Sequence, residues 1–171
     1  MSDAPVLTRE QFSAWKPFAA VLELLPASIN STLQKATGQP IVNLYALGHL
    51  QQQLHKTTGL SDLAACVSSA LPRASRIVAR LEADGLVKRS TCESDGRAVV
   101  VTLTSKGEDV LEAAMPHHDR LVRELVIDAL SAEQLDQLRN IALTLEARLH
   151  PDMASPLDRQ RQVNAAETLS A

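Results

Sequence analysis

The sequence predicts a mainly α-helical protein with one small β-hairpin and long helices towards both ends of the chain. Three observations carry this. Apolar residues recur at three- and four-residue spacing over most of the 171 residues. One short stretch, Ala98-Val99-Val100-Val101-Thr102-Leu103, breaks that period with a run rich in β-branched residues. Only four residues are aromatic (Phe12, Trp15, Phe18 and Tyr45), so the core must be built from Leu, Val, Ile and Ala, a mix that favours helices. The length suits one domain and allows a core without staples. No internal repeat is visible.

Residues 1–8 read as a flexible terminus. Arg9 to Thr37 reads as a helix, with Phe12, Trp15, Ala19, Leu22, Leu25 and Ile29 in phase. Pro17 sits in its first turns. Pro26 is expected to kink or split it, and Gly38 and Pro40 end it. A second helix is expected from Ile41 to His55 on Leu44, Leu47, Leu50 and Leu54, followed by a break at Thr57-Thr58-Gly59. Ser61 reads as the N-cap of a short third helix reaching about Val67. After a turn at Ser68-Ser69, Pro72 lies in the first turn of a fourth helix, which runs to Asp84 and is stopped by Gly85.

Leu86-Val87-Lys88-Arg89 then reads as a strand, Ser94-Asp95-Gly96 as a turn, and Ala98–Leu103 as the returning strand. Thr104 caps a helix expected from Ser105 to Leu130 with a kink at Pro116. Ser131 to Gln134 fits a capping box opening a last helix with Leu135, Leu138, Ala142, Leu145 and Leu149 on one face. The domain plan is therefore an N-terminal helical region over 9–40, a winged helix-turn-helix lobe over 41–104, C-terminal helices over 105–150, and a polar tail over 151–171.

Charge narrows the function. The chain is net −3, yet between Leu71 and Gly107 seven basic residues face four acids. A local basic surface on an acidic body suits selective binding of double-stranded DNA. Four aromatics are too few for the stacking platforms that hold single strands. On the fourth helix, Ala74, Ile77, Val78 and Leu81 share one side. Arg73, Arg76 and Arg80 share another, about a third of a turn away. A major groove accepts such a helix, and Arg can bond two guanine acceptors at once. Ser75 is a lesser candidate for a base or phosphate contact. Three arginines alone read more readily as a solvated helix face; the hairpin overturns that in favour of DNA. It carries Lys88 and Arg89 on its first strand and Arg97 at its tip, placed for a narrow minor groove. Asp95 can hold Arg97 in orientation, or simply stabilise the turn.

Leu81-Glu82-Ala83-Asp84-Gly85-Leu86-Val87-Lys88-Arg89, then Asp95-Gly96-Arg97-Ala98, then Val101-Thr102-Leu103-Thr104 and Gly107, resembles the MarR family of bacterial regulators. Leu60-Ser61-Asp62-Leu63-Ala64 is similar to the family's third helix. The resemblance spans roughly residues 40–149. It implies a homodimer in which the two outer helical regions, 9–40 and 105–150, interlock as dimerisation helices and two winged lobes bind one palindromic site. It also implies repression relieved by a small phenolic or anionic effector. Trp15, Phe18, Tyr45 and His49 are the residues it suggests for that effector, though dimer-core packing is the blander role for most of them. This chain departs from the family at Ala70, where Ser is common at the N-cap and Ser68 or Ser69 is the available substitute. It departs also at Leu71 and at Arg73. The operator is therefore not carried over.

Other chemistries find little support. There is no Gly-rich phosphate loop, nucleophile elbow, carboxylate pair or metal triad, so no catalytic residue, cofactor or metal is expected. His117 and His118 point about 100° apart on a helix, and His49 and His55 pair poorly. Cys66 reads as packing. Cys92, near Arg89, keeps a redox-responsive regulator as an alternative. A winged-helix interaction module without DNA binding is the other. No apolar run approaches a membrane span and no signal peptide is visible, so a cytoplasmic protein is expected.

Overall fold

The structure, a computed structural model, describes residues 6–67, 69–91 and 98–149. Ser68, Cys92, Asp95, Arg97 and the 151–171 tail therefore lie outside the described residues. The chain forms two compact units, the first ending at Val122 and the second beginning at Arg123.

Helix α1 spans Arg9–Thr37 and opens with a capping box. The Thr8 hydroxyl accepts from the Gln11 N–H at 3.2 Å, and Gln11 Oε1 accepts from the Thr8 N–H at 2.9 Å. Pro17 and Pro26 both lie inside one continuous helix, so Pro26 does not split it. Gly38 closes it with φ 73°, its N–H bonded to the Gln34 carbonyl.

Helix α2 spans Ile41–Gln51 and ends four residues before the expected His55. His55 and Lys56 both take φ 54°, which a helix cannot accommodate, within a single tight turn over Leu54–Lys56. That turn delivers the chain into a strand, β1 (Thr57–Gly59), where a simple break was expected. Helix α3 spans Leu60–Cys66. Its N-cap is Gly59, so Ser61 lies within the helix and does not cap it.

Helix α4 spans Leu71–Ala83 and ends in a Schellman turn. Gly85, at φ 73°, donates to the Glu82 carbonyl, and Leu86 donates to the Leu81 carbonyl at 2.8 Å. Strands β2 (Val87–Thr91) and β3 (Val99–Leu103) pair antiparallel, with Lys88 opposite Thr102 and Arg89 opposite Val101. β1 adds to the other side of β3, so the hairpin becomes a three-stranded sheet of order β1-β3-β2. The Thr57 and Thr102 hydroxyls bond across β1 and β3 at 2.8 Å.

Helix α5 spans Ser105–Val122. It runs through Pro116, then widens into one π-helical turn at Arg123–Ile127 in place of the expected continuation to Leu130. Its start is fixed by Thr104, whose hydroxyl accepts from the Gly107 N–H at 3.1 Å and donates to the Gly85 carbonyl at 2.8 Å. In the second unit, α6 spans Ala132–Leu149 and begins with the expected box, Ser131 and Gln134 exchanging hydrogen bonds.

One core of the first unit joins α2, α3 and α4 to the sheet through Leu47, Leu50, Leu63, Val78, Leu81 and Val101. A neighbouring core joins the C-terminal half of α1 to α2 and α5 through Ile29, Leu33, Leu44, Ala114 and Leu121. Area bookkeeping assigns about 1.5–3 kcal/mol to each such fully buried aliphatic side chain. Helix α4 is thus anchored along one side only, which decides what its other side can do.

Candidate nucleic-acid interface

Ala74, Val78 and Leu81 of α4 are buried, at 1% exposure or less. Ile77 packs partly buried against the same core. Arg73, Arg76 and Arg80 are exposed, as the period required, and Ser75 is half-buried. The three guanidinium groups leave the helix within an arc of about 60°. The end of α4 is tied to the sheet by a forked contact. Glu82 accepts from the Arg89 backbone N–H at 3.0 Å and from Arg89 Nε at 2.6 Å. This pair lowers the Glu82 carboxyl below its ordinary pKa, chiefly through the Arg89 side-chain hydrogen bond. It also fixes Arg89 against α4. Strand alternation sends Lys88 to the opposite face of β2, where it is exposed. Lys106, at the start of α5, joins the same corner by donating to the Asp84 carbonyl at 2.8 Å.

The structure therefore gathers Arg73, Arg76 and Arg80 on one flank of α4 and ties Arg89 to Glu82, about 150° round the same helix from them. It places Lys88 nearby on the other strand face, while Asp95 and Arg97 fall outside the described residues. Sequence reasoning missed Glu82. Its partner stands seven residues on, across a tight turn, and neither residue type nor spacing marks such a pair.

The residues suggested for an effector form two ring pairs. Trp15 and Phe18 meet edge-on on α1, with centroids 6.1 Å apart. Tyr45 meets His118 of α5, also edge-on at 6.1 Å, and burial raises the Tyr45 phenol above its ordinary pKa. Tyr45 nevertheless stays half-exposed, as do Trp15 and Phe12. His49, one turn along α2 from Tyr45, is partly buried. His118 also bonds Asp119 at 3.0 Å. Among the described residues no three metal-ligating side chains cluster, and no helix is long and apolar enough to cross a membrane.

Comparison with known proteins addresses the same region. A model of the MarR family matches residues 43–99, from α2 to the start of β3. Transcriptional repressor MprA of Escherichia coli is 31% identical over 115 residues, which is 67% of this chain and 65% of MprA. The chain thus spans slightly less than two thirds of that relative. A MarR family transcriptional regulator from Streptomyces coelicolor, solved in complex with DNA, is 31% identical with a TM-score of 0.84. The match covers 89% of this chain and 95% of that one. AbsC, a MarR family transcriptional regulator also from Streptomyces coelicolor, is 29% identical with a TM-score of 0.80, covering 86% and 99%. Helix order, the three-stranded winged sheet and these similarities agree, and the chain belongs to the MarR family of transcriptional regulators.

Proposed function

We propose that this protein is a cytoplasmic DNA-binding repressor, not an enzyme, that grips a palindromic operator as a homodimer. Helix α4 enters the major groove and the wing reaches the neighbouring minor groove. The observation that carries this reading is the exposed flank of Arg73, Arg76 and Arg80, held in place by the buried flank of Ala74, Val78 and Leu81 on the same helix. The DNA complex of the Streptomyces coelicolor relative supports it. Half-sites are then spaced about one DNA turn apart, ~34–36 Å.

The dimer is supported separately in each unit. Phe12, Trp15 and Leu22 of α1 are about half-exposed, and Leu138, Ile141 and Leu145 of α6 are exposed. Apolar faces of this size favour a second copy over water. Release is by a small phenolic or anionic effector. The rings of Tyr45 and His118, and of Trp15 and Phe18, offer it edge and face contacts on partly exposed helix surfaces.

The test is binding of the protein to the duplex flanking its own gene across a salt series. The affinity falls with salt at a slope of about 0.9 per neutralised phosphate. Arg76→Ala or Arg80→Ala weakens specific binding by ~1–3 kcal/mol if a guanine contact is lost, and flattens the slope if a phosphate contact is lost. Absence of specific binding at modest salt would sink the proposal.

A further inference from the structure

The exposed half of α4 is not uniformly basic. Around the helix, at about 100° per residue, Arg73, Arg76 and Arg80 take one flank, and Leu71, Ser75 and Ala79 take the other, with Pro72 between them. On that second flank Leu71 is 50% exposed, Pro72 and Ala79 are exposed, and polar groups come only from Ser75 and, about three turns on at the far end, from Glu82, which is tied to Arg89. The first turn extends the apolar character. Ala70 holds the cap position with no side-chain hydrogen bond, and Pro72 has no N–H to offer. The leading end of the helix therefore presents hydrocarbon where a capping hydroxyl and one amide donor would stand.

A single exposed leucine needs no explanation. This one adjoins Ala70 and Pro72 on one turn, on the helix that carries the three arginines, at the end that meets base edges when such a helix docks. In a major groove the apolar feature of the base edges is the 5-methyl group of thymine. We infer that Leu71, with Pro72 beside it, reads thymine methyl groups in the operator, while the arginine flank holds guanine or phosphate. This rests on the reading that α4 enters the major groove.

The full-length protein is first used to enrich a preferred duplex from a randomised library. Each thymine of that duplex is then replaced singly by deoxyuridine, which removes the methyl group alone. At one or two positions per half-site the replacement weakens binding about 2- to 5-fold, the worth of one buried methyl. Leu71→Ala abolishes that discrimination, and its circular dichroism matches the parent because the side chain is half in solvent. Uracil tolerated at every position, with specific binding intact, overturns the methyl reading and leaves DNA binding standing. Sensitivity that persists in both Leu71→Ala and Pro72→Ala assigns the contact to another residue and overturns it too. So does a Leu71→Ala protein whose association state changes while its uracil response does not, since Leu71 then covers a second copy. Failure to enrich any duplex removes the DNA-binding reading itself.

Discussion

Gly107 stands where the wing, the end of α4 and the start of α5 converge, and replacing it with alanine gives a sharp test of the packing. A Cβ there would lie 2.2 Å from the Leu86 carbonyl oxygen, 2.7 Å from Leu103 Cδ1 and 3.1 Å from the Leu86 carbonyl carbon. The carbonyl cannot swing aside. It already accepts from the Thr104 N–H at 3.1 Å, and the Leu86 side chain is buried at 2% exposure. Overpacking of this kind costs ~1–3 kcal/mol, and a strained or broken hydrogen bond adds about 1 kcal/mol. The better helix propensity of alanine returns ~0.5–1 kcal/mol. The net expectation is a loss of about 2–3 kcal/mol. Gly48, inside α2, supplies the control: its Cβ would meet only Leu111 Cδ1, at 4.0 Å, an ordinary contact. Gly48→Ala should therefore gain ~0.5–1 kcal/mol. Urea unfolding at one fixed protein concentration measures both, since the stability of any self-associating chain depends on concentration. A Gly107→Ala midpoint equal to the parent, or two alanine variants shifting in the same direction, would refute the reasoning.

Other outcomes follow from particular groups. Glu82 has its folded pKa lowered by Arg89, so its contribution to stability is complete at neutral pH and fades as the pH falls through the carboxylate range. Glu82→Gln should lie below the parent at neutral pH and converge with it on acidification; a gap independent of pH would show that the charge plays no part. Tyr45 is the sole tyrosine, so ultraviolet titration reports it alone. The native protein should ionise at higher pH than the urea-unfolded chain, and coincident curves would remove burial as the cause. Arg97→Ala should weaken operator binding by ~1–3 kcal/mol, and an unchanged affinity would mean an idle wing.

Much of this architecture was legible because its signals are local and redundant. Pro72 and Gly85 bracket α4, a 3.6-residue period fills the space between them, and Ser131 with Gln134 announces α6. The bounds of α1 and α4 follow from such punctuation. What escaped has equally physical causes. β1 is three residues long, too short for an alternating pattern, and exists because Thr57 and Thr102 meet across 45 positions. Leu54 keeps the phase of α2, so the sequence reads on as helix, although His55 takes a left-handed conformation. The cap at Thr8 is legible as a Thr-x-x-Gln box directly before the first helical residue, Arg9. For the interface, helical phase set the arginine flank, whereas the Glu82–Arg89 fork depends on how a turn folds back and has no signature in spacing.

The corner around Gly85 bears on how such a protein can let go of its target. The Schellman turn ends α4 there. Gly85 and Leu86 then offer their carbonyls to Thr104, the Glu82–Arg89 fork ties α4 to β2, and Lys106 of α5 closes on Asp84. The reading helix, the root of the wing and the first turn of α5 are in effect riveted at one joint. A push arriving along α5 cannot fold the wing away while leaving α4 seated. It would move the lobe as a single piece, so in the proposed dimer release would be an all-or-nothing change in the distance between two reading heads.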